Sequence, residues 1–420
     1  MADTYSYFAP LTRNRPSREG NILGFAQAKP WHRGRSLPLD MLRGIAILMV
    51  LGRHDVMTPA GLGPLEPLAM GWRSMGWAGV DLFFVLSGFL VSGLFFAEYR
   101  QSQNVNVRRF VIRRGFKIWP PYFAYIAFVA LWLVWKHHQG KSPGVWHALW
   151  PNFLHVQNYF HTPRIHTWSL AVEEHFYLGL ALLFFLLLRT RCIRGFLRHL
   201  PALTVIFVLV AAALRHAAYL RDGPEKMNLY ATHLRFDGLL IGMLLAYWTH
   251  FHPEKLTRFI RRPLALIIGG AGLAAPTLWL APEYSPWIAG LGLTGVYVGF
   301  GLILLGWLHL PASHAVWERM FVSRPAVMLG QVGFYSFSIY LWHVDLAQTP
   351  VRKIVHLAAA THLPSGVIWL AATATYVGAA IFGGMLLAHL LEKPSLRMRD
   401  RLFPALAKPM AQSDFYRSTR

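Results

Sequence analysis

Ten apolar stretches follow one another along this chain of 420 residues, and most are long enough to cross a lipid bilayer. A spanning helix needs about 20 mostly apolar residues, because a helix satisfies its own backbone hydrogen bonds in lipid. Charged residues make up 14% of the chain, against about a quarter in a soluble domain. The sequence therefore predicts an all-α, polytopic integral membrane helix bundle. The ten predicted spans cover residues 39–57, 76–97, 118–135, 168–189, 201–219, 233–249, 264–281, 287–308, 328–348 and 366–391.

The lysine and arginine residues are concentrated in every second loop, as the positive-inside rule requires. With the N-terminus inside, 30 of the 41 fall in segments predicted to lie inside and 8 in segments predicted to lie outside. Both termini are therefore predicted to be cytosolic. The formal net charge of +22 resides largely in these loops, without a continuous basic face or a nucleic-acid-binding motif. We therefore expect no nucleic-acid partner.

Three regions are predicted: a disordered basic N-terminal tail over 1–38, a transmembrane domain over 39–391 and a cytosolic C-terminal tail over 392–420. The N-terminal tail lacks the apolar core and cleavage site of a secretory signal peptide. The first span is therefore expected to act as an uncleaved signal. A single cysteine, Cys192, excludes an intrachain disulfide and a cysteine-based metal site. Any chemistry is expected inside the helix bundle and at its mouths.

The first span carries two ionisable groups that a lipid-facing helix would not. Arg43 and His54 are eleven residues apart, which places both on one helix face, about 16 Å apart along the axis. Such groups cost roughly 2.5 kcal/mol or more in a membrane and usually face the bundle interior. An imidazole is suited to take a proton from a hydroxyl near neutral pH. The alternative is that Arg43 snorkels toward the membrane surface and His54 caps the helix mouth. No role is assigned to Arg53.

Polar residues also interrupt the second and fourth spans. Asp81 lies early in the second span and requires a cationic or hydrogen-bonding partner. Ser87 and Gly88 lie in mid-span, where small residues are typical of close helix packing. Glu173 and Tyr177 share one helix face at the outer part of the fourth span. A carboxylate there is costly unless it serves a site.

A row of basic residues precedes the third span at helical spacing. Arg109 and Arg113 share one face, and Arg114 and Lys117 follow. Guanidinium groups bind phosphate oxygens bidentately, so the row could hold a phosphate-bearing ligand. A membrane anchor or a contact with anionic lipid explains the charge equally well.

Two later spans carry further pairs of polar residues. Arg235 and Asp237 are two residues apart, so they do not pair on one helix face and each is expected to have a partner elsewhere. Tyr340 and His343 share a face at i, i+3. The outer loop before the fourth span is rich in histidine without metal-ligand spacing, so solvated histidines and no metal site are expected. These histidines are His137, His138, His147, His155, His161 and His166.

The order of these motifs resembles bacterial membrane acyltransferase family 3, integral membrane O-acyltransferases that modify surface glycans and some small molecules. The resemblance covers about residues 38–396. Its motifs are the R-x10-H pattern of Arg43 and His54, DLFFVLSGF, RRGFKIWP, WSLAVEEHFYL, RFDGLLIG, SIYLWH and LLEKP.

The resemblance implies that His54 is the catalytic base, that Arg43 is also essential and that Glu173 belongs to the catalytic group. It implies that the basic motif binds an acyl-CoA donor, most simply acetyl-CoA, as a substrate and not as a tightly bound cofactor. That motif comprises Arg109, Arg113, Arg114 and Lys117, the last standing where many relatives carry arginine. The residues expected to line or support the site are Asp81, Ser87, Tyr177, Arg235, Asp237, Tyr340 and His343.

The expected function is O-acyl transfer from cytosolic acyl-CoA to a hydroxyl of a sugar, glycan, lipid-linked or small-molecule acceptor, in the bacterial inner membrane. Direct attack and a covalent acyl-enzyme on Ser87 or a histidine are both open, as is the oligomeric state. A transporter could use the same buried charges, although no inverted repeat is present. A binding or assembly subunit with a degenerate site is a third option, against which the intact His54 and arginine motif argue.

Overall fold

The computed structural model describes residues 36–55, 61–139, 144–278, 280, 285–358 and 363–404. These residues form sixteen α-helices, and no strand occurs among them. Helices α1 to α8 are Leu37–Arg53, Glu66–Met75, Ala78–Ser102, Val107–His138, Val145–Phe153, Trp168–Arg189, Ile193–Lys226 and Asp237–Phe251. Helices α9 to α16 are Pro253–Ile260, Pro263–Ala274, Leu293–Ser313, Ala315–Phe321, Arg324–Phe334, Ser336–Ala358, Ser365–Leu387 and Lys393–Leu402.

A helix lies over each of the ten predicted spans, and the ninth is divided between α13 and α14 at Tyr335. Within the described ranges, six helical segments are both long enough and apolar enough to cross a membrane. The all-helical fold with several helices of membrane length is therefore confirmed, while the count of ten spans and the cytosolic termini stay predictions. The six segments are Ala78–Ser102, Val107–His138, Ile165–Arg189, Ile193–Gly223, Ile288–Pro311 and Ser365–Leu402.

Two helix boundaries differ from the sequence prediction and matter for the site. Helix α1 ends at Arg53, and His54 follows it with non-helical backbone angles (φ −99°, ψ 8°), so the imidazole lies at the helix end. Helix α4 starts eleven residues before the predicted third span. The Oδ1 of Asn106 caps this start by accepting a hydrogen bond from the backbone N–H of Arg109 at 3.0 Å. The basic motif is therefore part of α4.

Helices α3 and α8 approach closely through two glycines. A Cβ atom on Gly88 would lie 2.0 Å from the carbonyl oxygen of Leu239, and one on Gly242 would lie 2.2 Å from that of Val85. Any side chain larger than hydrogen would therefore push the two backbones apart. The close packing predicted at Gly88 is confirmed.

The apolar core lies where α1, α3, α4, α11 and α14 meet. Ile47, Phe84, Val129, Tyr297 and Ile339 are fully buried in it. Helices α4, α7 and α15 also expose large apolar side chains along their outer faces, as a lipid-facing surface would.

The two predicted tails fall largely outside the described residues. Residues 1–35 and 405–420 are not described, so the N-terminal tail over 1–38 stays a prediction. The first ten residues after Glu392 form α16, which packs against α4.

Candidate functional site

Three histidines from distant parts of the chain meet at the end of α1. The ring centroid of His54 lies 5.0 Å from that of His343 and 6.4 Å from that of His166. The rings of His166 and His343 are 5.3 Å apart. His343 is on α14, and His166 lies in the short turn that leads into α6.

Backbone carbonyls of α14 fix the tautomers of two of these histidines. The Nδ1 of His343 donates to the carbonyl of Tyr340 at 2.6 Å, and the Nε2 of His166 donates to the carbonyl of Leu341 at 3.2 Å. The remaining nitrogen of each ring is then a hydrogen-bond acceptor. The Nε2 of His343, a residue with 0% exposure, has no hydrogen-bond partner within the described part of the chain. His54 thus lies beside imidazoles that can accept a proton donated from its own ring.

A cavity of about 110 Å³ opens beside His54. Sites that enclose a whole drug-sized ligand measure roughly 300 to 1,000 Å³, so this cavity has room for one group of a larger molecule. The described residues that line it are Val50, Arg53, His54, Gly76, Trp77, Val80, Ile165, His166, Trp168, Leu229, Tyr230, Arg235 and Tyr340.

The hydroxyl of Tyr340 is held in place from two sides. It donates to the carbonyl of His166 and accepts a 2.7 Å hydrogen bond from the Oγ of Ser169. Its proton is therefore already engaged, which favours a positioning role at the cavity wall over proton transfer.

Two buried ion pairs hold the polar residues at the start of α8. The Nη2 of Arg235 lies 2.5 Å from the Oδ1 of Asp81, and the Nη2 of Arg215 lies 2.9 Å from the Oδ2 of Asp237. Arg235 and Asp237 therefore each have a partner on another helix, as predicted, and Asp81 has the cationic partner that it requires. Arg235 also contributes to the cavity wall.

Glu173 lies in a second polar cluster, one helical turn along α6 from Ser169. Its Oε1 accepts a hydrogen bond from the Oγ of Ser87 at 3.1 Å, and its Oε2 accepts one from the hydroxyl of Tyr177 at 2.6 Å. The guanidinium of Arg114 lies 4.1 Å from the centre of the Tyr177 ring. Glu173 is not among the described residues that line the cavity of His54. The structure therefore separates it from His54 and joins it to a residue of the basic motif.

The other predicted site residues lie away from the cavity. Arg43 donates to the Oγ of Ser336 at 3.4 Å, at the start of α14. Arg113 pairs with Asp400 of α16 at 3.2 Å and also donates to the carbonyl of Phe403. Arg109 and Lys117 are half-buried on the same helix as Arg113.

Sequence reasoning missed most residues of the cavity wall, among them His166, Trp168 and Tyr230. His166 was expected to be a solvated loop histidine, and this is wrong because the chain folds it under α14 to 4% exposure. Trp168 and Tyr230 also line the cavity, and their rings are 4.9 Å apart. The position of His166 two residues before an apolar helix was the one available signal.

The other loop histidines divide between solvent and the loop interior. His155 stacks on Tyr122 with ring centroids 4.7 Å apart, and burial lowers its pKa to about 4, with a smaller contribution from His175. It is therefore neutral at physiological pH. His137, His138, His147 and His161 are exposed as expected. Among the described residues, no group of three or more His, Cys, Asp or Glu side chains is arranged to hold a metal ion.

Comparison with known proteins identifies relatives over most of the chain. The family model described as "Acyltransferase domain" matches residues 38–389. The peptidoglycan O-acetyltransferase OatA of Listeria monocytogenes is 26% identical over 340 residues, which cover 75% of this chain and 50% of that protein. The O-acetyltransferase OatA of Staphylococcus aureus is 27% identical over 338 residues, which cover 77% of this chain and 52% of that protein. The chain thus spans about half the length of these curated relatives, and no solved structure matches it.

Proposed function

Because the chain belongs to the family defined by this acyltransferase domain, we propose that it is a membrane O-acyltransferase. It transfers an acyl group, most simply acetyl, from cytosolic acyl-CoA to a hydroxyl of an acceptor. Its similarity to the peptidoglycan O-acetyltransferase of Listeria monocytogenes favours a glycan acceptor such as peptidoglycan, with a lipid-linked sugar or a small molecule as the other options. The proposed location is the inner membrane of a bacterium.

The observation that carries this proposal is the place of His54 in the fold. His54 lines one cavity together with Arg235 and Tyr340, although the three residues come from widely separated parts of the sequence. A base must lie within hydrogen-bond reach of the proton that it removes. A hydroxyl that enters the cavity meets that condition at the His54 ring.

The chemistry requires one proton to move twice. His54 removes the proton of the acceptor hydroxyl while the hydroxyl oxygen attacks the thioester carbonyl. The carbon–sulfur bond then breaks, the ester remains on the acceptor, and the thiolate of coenzyme A leaves and takes up the proton. The imidazolium that forms in between lies beside the rings of His343 and His166, each of which keeps one acceptor nitrogen.

The donor side of the proposal rests on α4. Arg113, Arg114 and Lys117 would hold the phosphates of acyl-CoA, since guanidinium groups match phosphate oxygens. Arg43, eleven residues before His54, would bind donor charge or orient the thioester. Within the second polar cluster, Glu173 and Tyr177 would keep Arg114 in position.

Family membership favours this enzyme over a transporter or a degenerate binding subunit. Each alternative predicts a different fate of acyl-CoA. An acyltransferase consumes it in proportion to acylated acceptor, whereas a transporter moves its substrate without consuming it and a binding subunit does neither.

The test is acyl transfer by the purified full chain in lipid nanodiscs, supplied with labelled acetyl-CoA and glycan acceptors. His54→Gln should lower kcat by about 10²- to 10⁴-fold, the usual contribution of a general base. His161→Gln is the matched control, because that histidine is exposed and does not line the cavity. Full activity of the His54 variant in correctly folded protein would overturn the proposal.

A further inference from the structure

The cavity beside His54 has an unbalanced charge. Of the thirteen described residues that line it, none carries a carboxylate, whereas Arg53 and Arg235 each carry a guanidinium. Arg235 is paired with Asp81 behind the wall, and Arg53 is exposed at the end of α1. The surface that faces an incoming acceptor is therefore positive.

Two buried N–H groups of the cavity residues are also available to a ligand. The Nε of Arg235 and the Nε1 of Trp77 have no hydrogen-bond partner in the part of the chain that the structure describes. Arg235 is only 4% exposed, and a donor buried without an acceptor is costly. Both groups can only donate, so a ligand that satisfies them supplies oxygen acceptors.

Aromatic rings form a further part of the wall. Trp168 and Tyr230 lie 4.9 Å apart, and the guanidinium of Arg235 lies 5.1 Å from the Trp168 ring. Asn158, which is 2% exposed, holds the Tyr230 segment by donating to its carbonyl at 3.1 Å. Aromatic rings offer large, rigid apolar surfaces, against which the C–H face of a sugar ring can pack.

We propose that the acceptor presents an anionic sugar unit to this cavity, with Arg53 and Arg235 facing its carboxylate or phosphate. This inference deepens the proposed function and rests on it. The volume of about 110 Å³ has room for part of one such unit, such as its anionic group, with the rest of the glycan outside. Arg53 is thereby a specificity-determining residue, and the hydroxyl to be acylated lies on the unit that the arginines hold near His54.

The test measures binding separately from acyl transfer. Saturation-transfer NMR on the full chain compares an oligogalacturonide with its neutral methyl ester, and glucose 1-phosphate with methyl glucoside. The wild-type protein should bind an anionic sugar about tenfold more tightly than its neutral counterpart, the ratio expected from one charge-assisted contact. Whichever pair shows the preference identifies carboxylate or phosphate as the anion.

Arg53→Gln should bring that ratio close to one. The ratio should also fall as ionic strength rises, because the exposed charge of Arg53 is screened by salt. Trp77→Phe, which keeps a ring and removes the N–H, should weaken the anionic ligand about threefold, as the loss of one hydrogen bond does. Arg352→Gln is the matched control, since this exposed arginine of α14 does not line the cavity.

Two results would overturn the inference and leave the proposed function intact. One is equal binding of both anionic sugars and their neutral counterparts by a wild-type protein that transfers acetyl groups. The other is an unchanged ratio in Arg53→Gln. A preference that Arg53→Gln abolishes, in a protein that never consumes acetyl-CoA, would instead contradict the proposed function.

Discussion

Individual polar residues in this bundle are positioned by partners that the sequence does not name. The spacing of Arg235 and Asp237 predicts that they do not pair with each other, but it cannot predict that Asp81 and Arg215 are their partners. Those contacts depend on which helices become neighbours. His166 shows the same limit, because only the folded chain places this loop histidine beside His54.

Arg215 is fully buried, so a substitution there tests how strongly stability depends on contacts between neighbouring helices. Its guanidinium donates to the carbonyls of Ala289, Leu234 and Gly290 and contacts Asp237. A lysine cannot reproduce that planar set of donors. Arg215→Lys keeps the positive charge but leaves buried carbonyl oxygens without a donor, so it should destabilise the protein by about 1 to 3 kcal/mol.

Unfolding in detergent, followed by circular dichroism, measures this loss. Arg221→Lys is the control, because the Arg221 side chain is 77% exposed and pairs only with its neighbour Asp222 in the described chain. Its free energy of unfolding should change by no more than about 0.5 kcal/mol. Equal effects of the two substitutions would contradict the importance of burial at Arg215.

Helices, in contrast to single contacts, were largely predictable. Hydropathy places a helix over every predicted span, because a backbone in lipid has few other ways to satisfy its hydrogen bonds. Their ends were less predictable. The cap at Asn106 extends α4 through the basic motif, and the division of α13 from α14 occurs at Tyr335 inside a continuous apolar stretch.

The close glycine contacts between α3 and α8 give a test of helix packing. Gly242→Ala would bring a methyl group to 2.2 Å from the carbonyl oxygen of Val85, where a backbone has to move. Overpacking of this kind costs about 1 to 3 kcal/mol. Unfolding in detergent, followed by circular dichroism, should show that loss of stability.

Gly93→Ala is the matched control on the same helix pair. Its added methyl group would meet only the Nε2 of His250, at 3.5 Å, an ordinary contact distance. This variant should unfold like the wild type. A loss of stability at Gly93 as large as that at Gly242 would contradict the assignment of a close backbone approach to Gly242.

The whole molecule is predicted to cross the membrane ten times, and its single cysteine permits a direct test. Cys192 is exposed between α6 and α7, in a loop that the positive-inside rule predicts to be cytosolic. In intact spheroplasts, a membrane-permeant maleimide should label Cys192 and a membrane-impermeant one should not.

A cysteine introduced on the opposite side of the membrane provides the control. In a Cys192→Ser background, His161→Cys should react with the impermeant reagent, since this exposed residue lies in the predicted outer loop. Labelling of Cys192 by the impermeant reagent would contradict the predicted topology.

The sequence predicted three residues of the cavity wall, but it did not predict how the proposed site residues are grouped in space. The resemblance singles out His54, Tyr340 and Arg235, and all three line one cavity. It also groups Glu173 with His54, whereas the structure joins Glu173 to Ser87 and Tyr177. Motif order along a chain carries no information about which face of each helix turns toward a given cavity, and this accounts for the difference.

The segment of α1 contacts α14 at two points, through Arg43 at Ser336 and through His54, just after the helix, at His343. The helix separates the backbones of the two residues by about 16 Å along its axis. In the proposed reaction, this span would select donors by the length of the molecule. A donor anchored at Arg43 brings its carbonyl to His54 only if its connecting arm covers that distance, so a shortened donor would remain bound at one end and unreactive at the other.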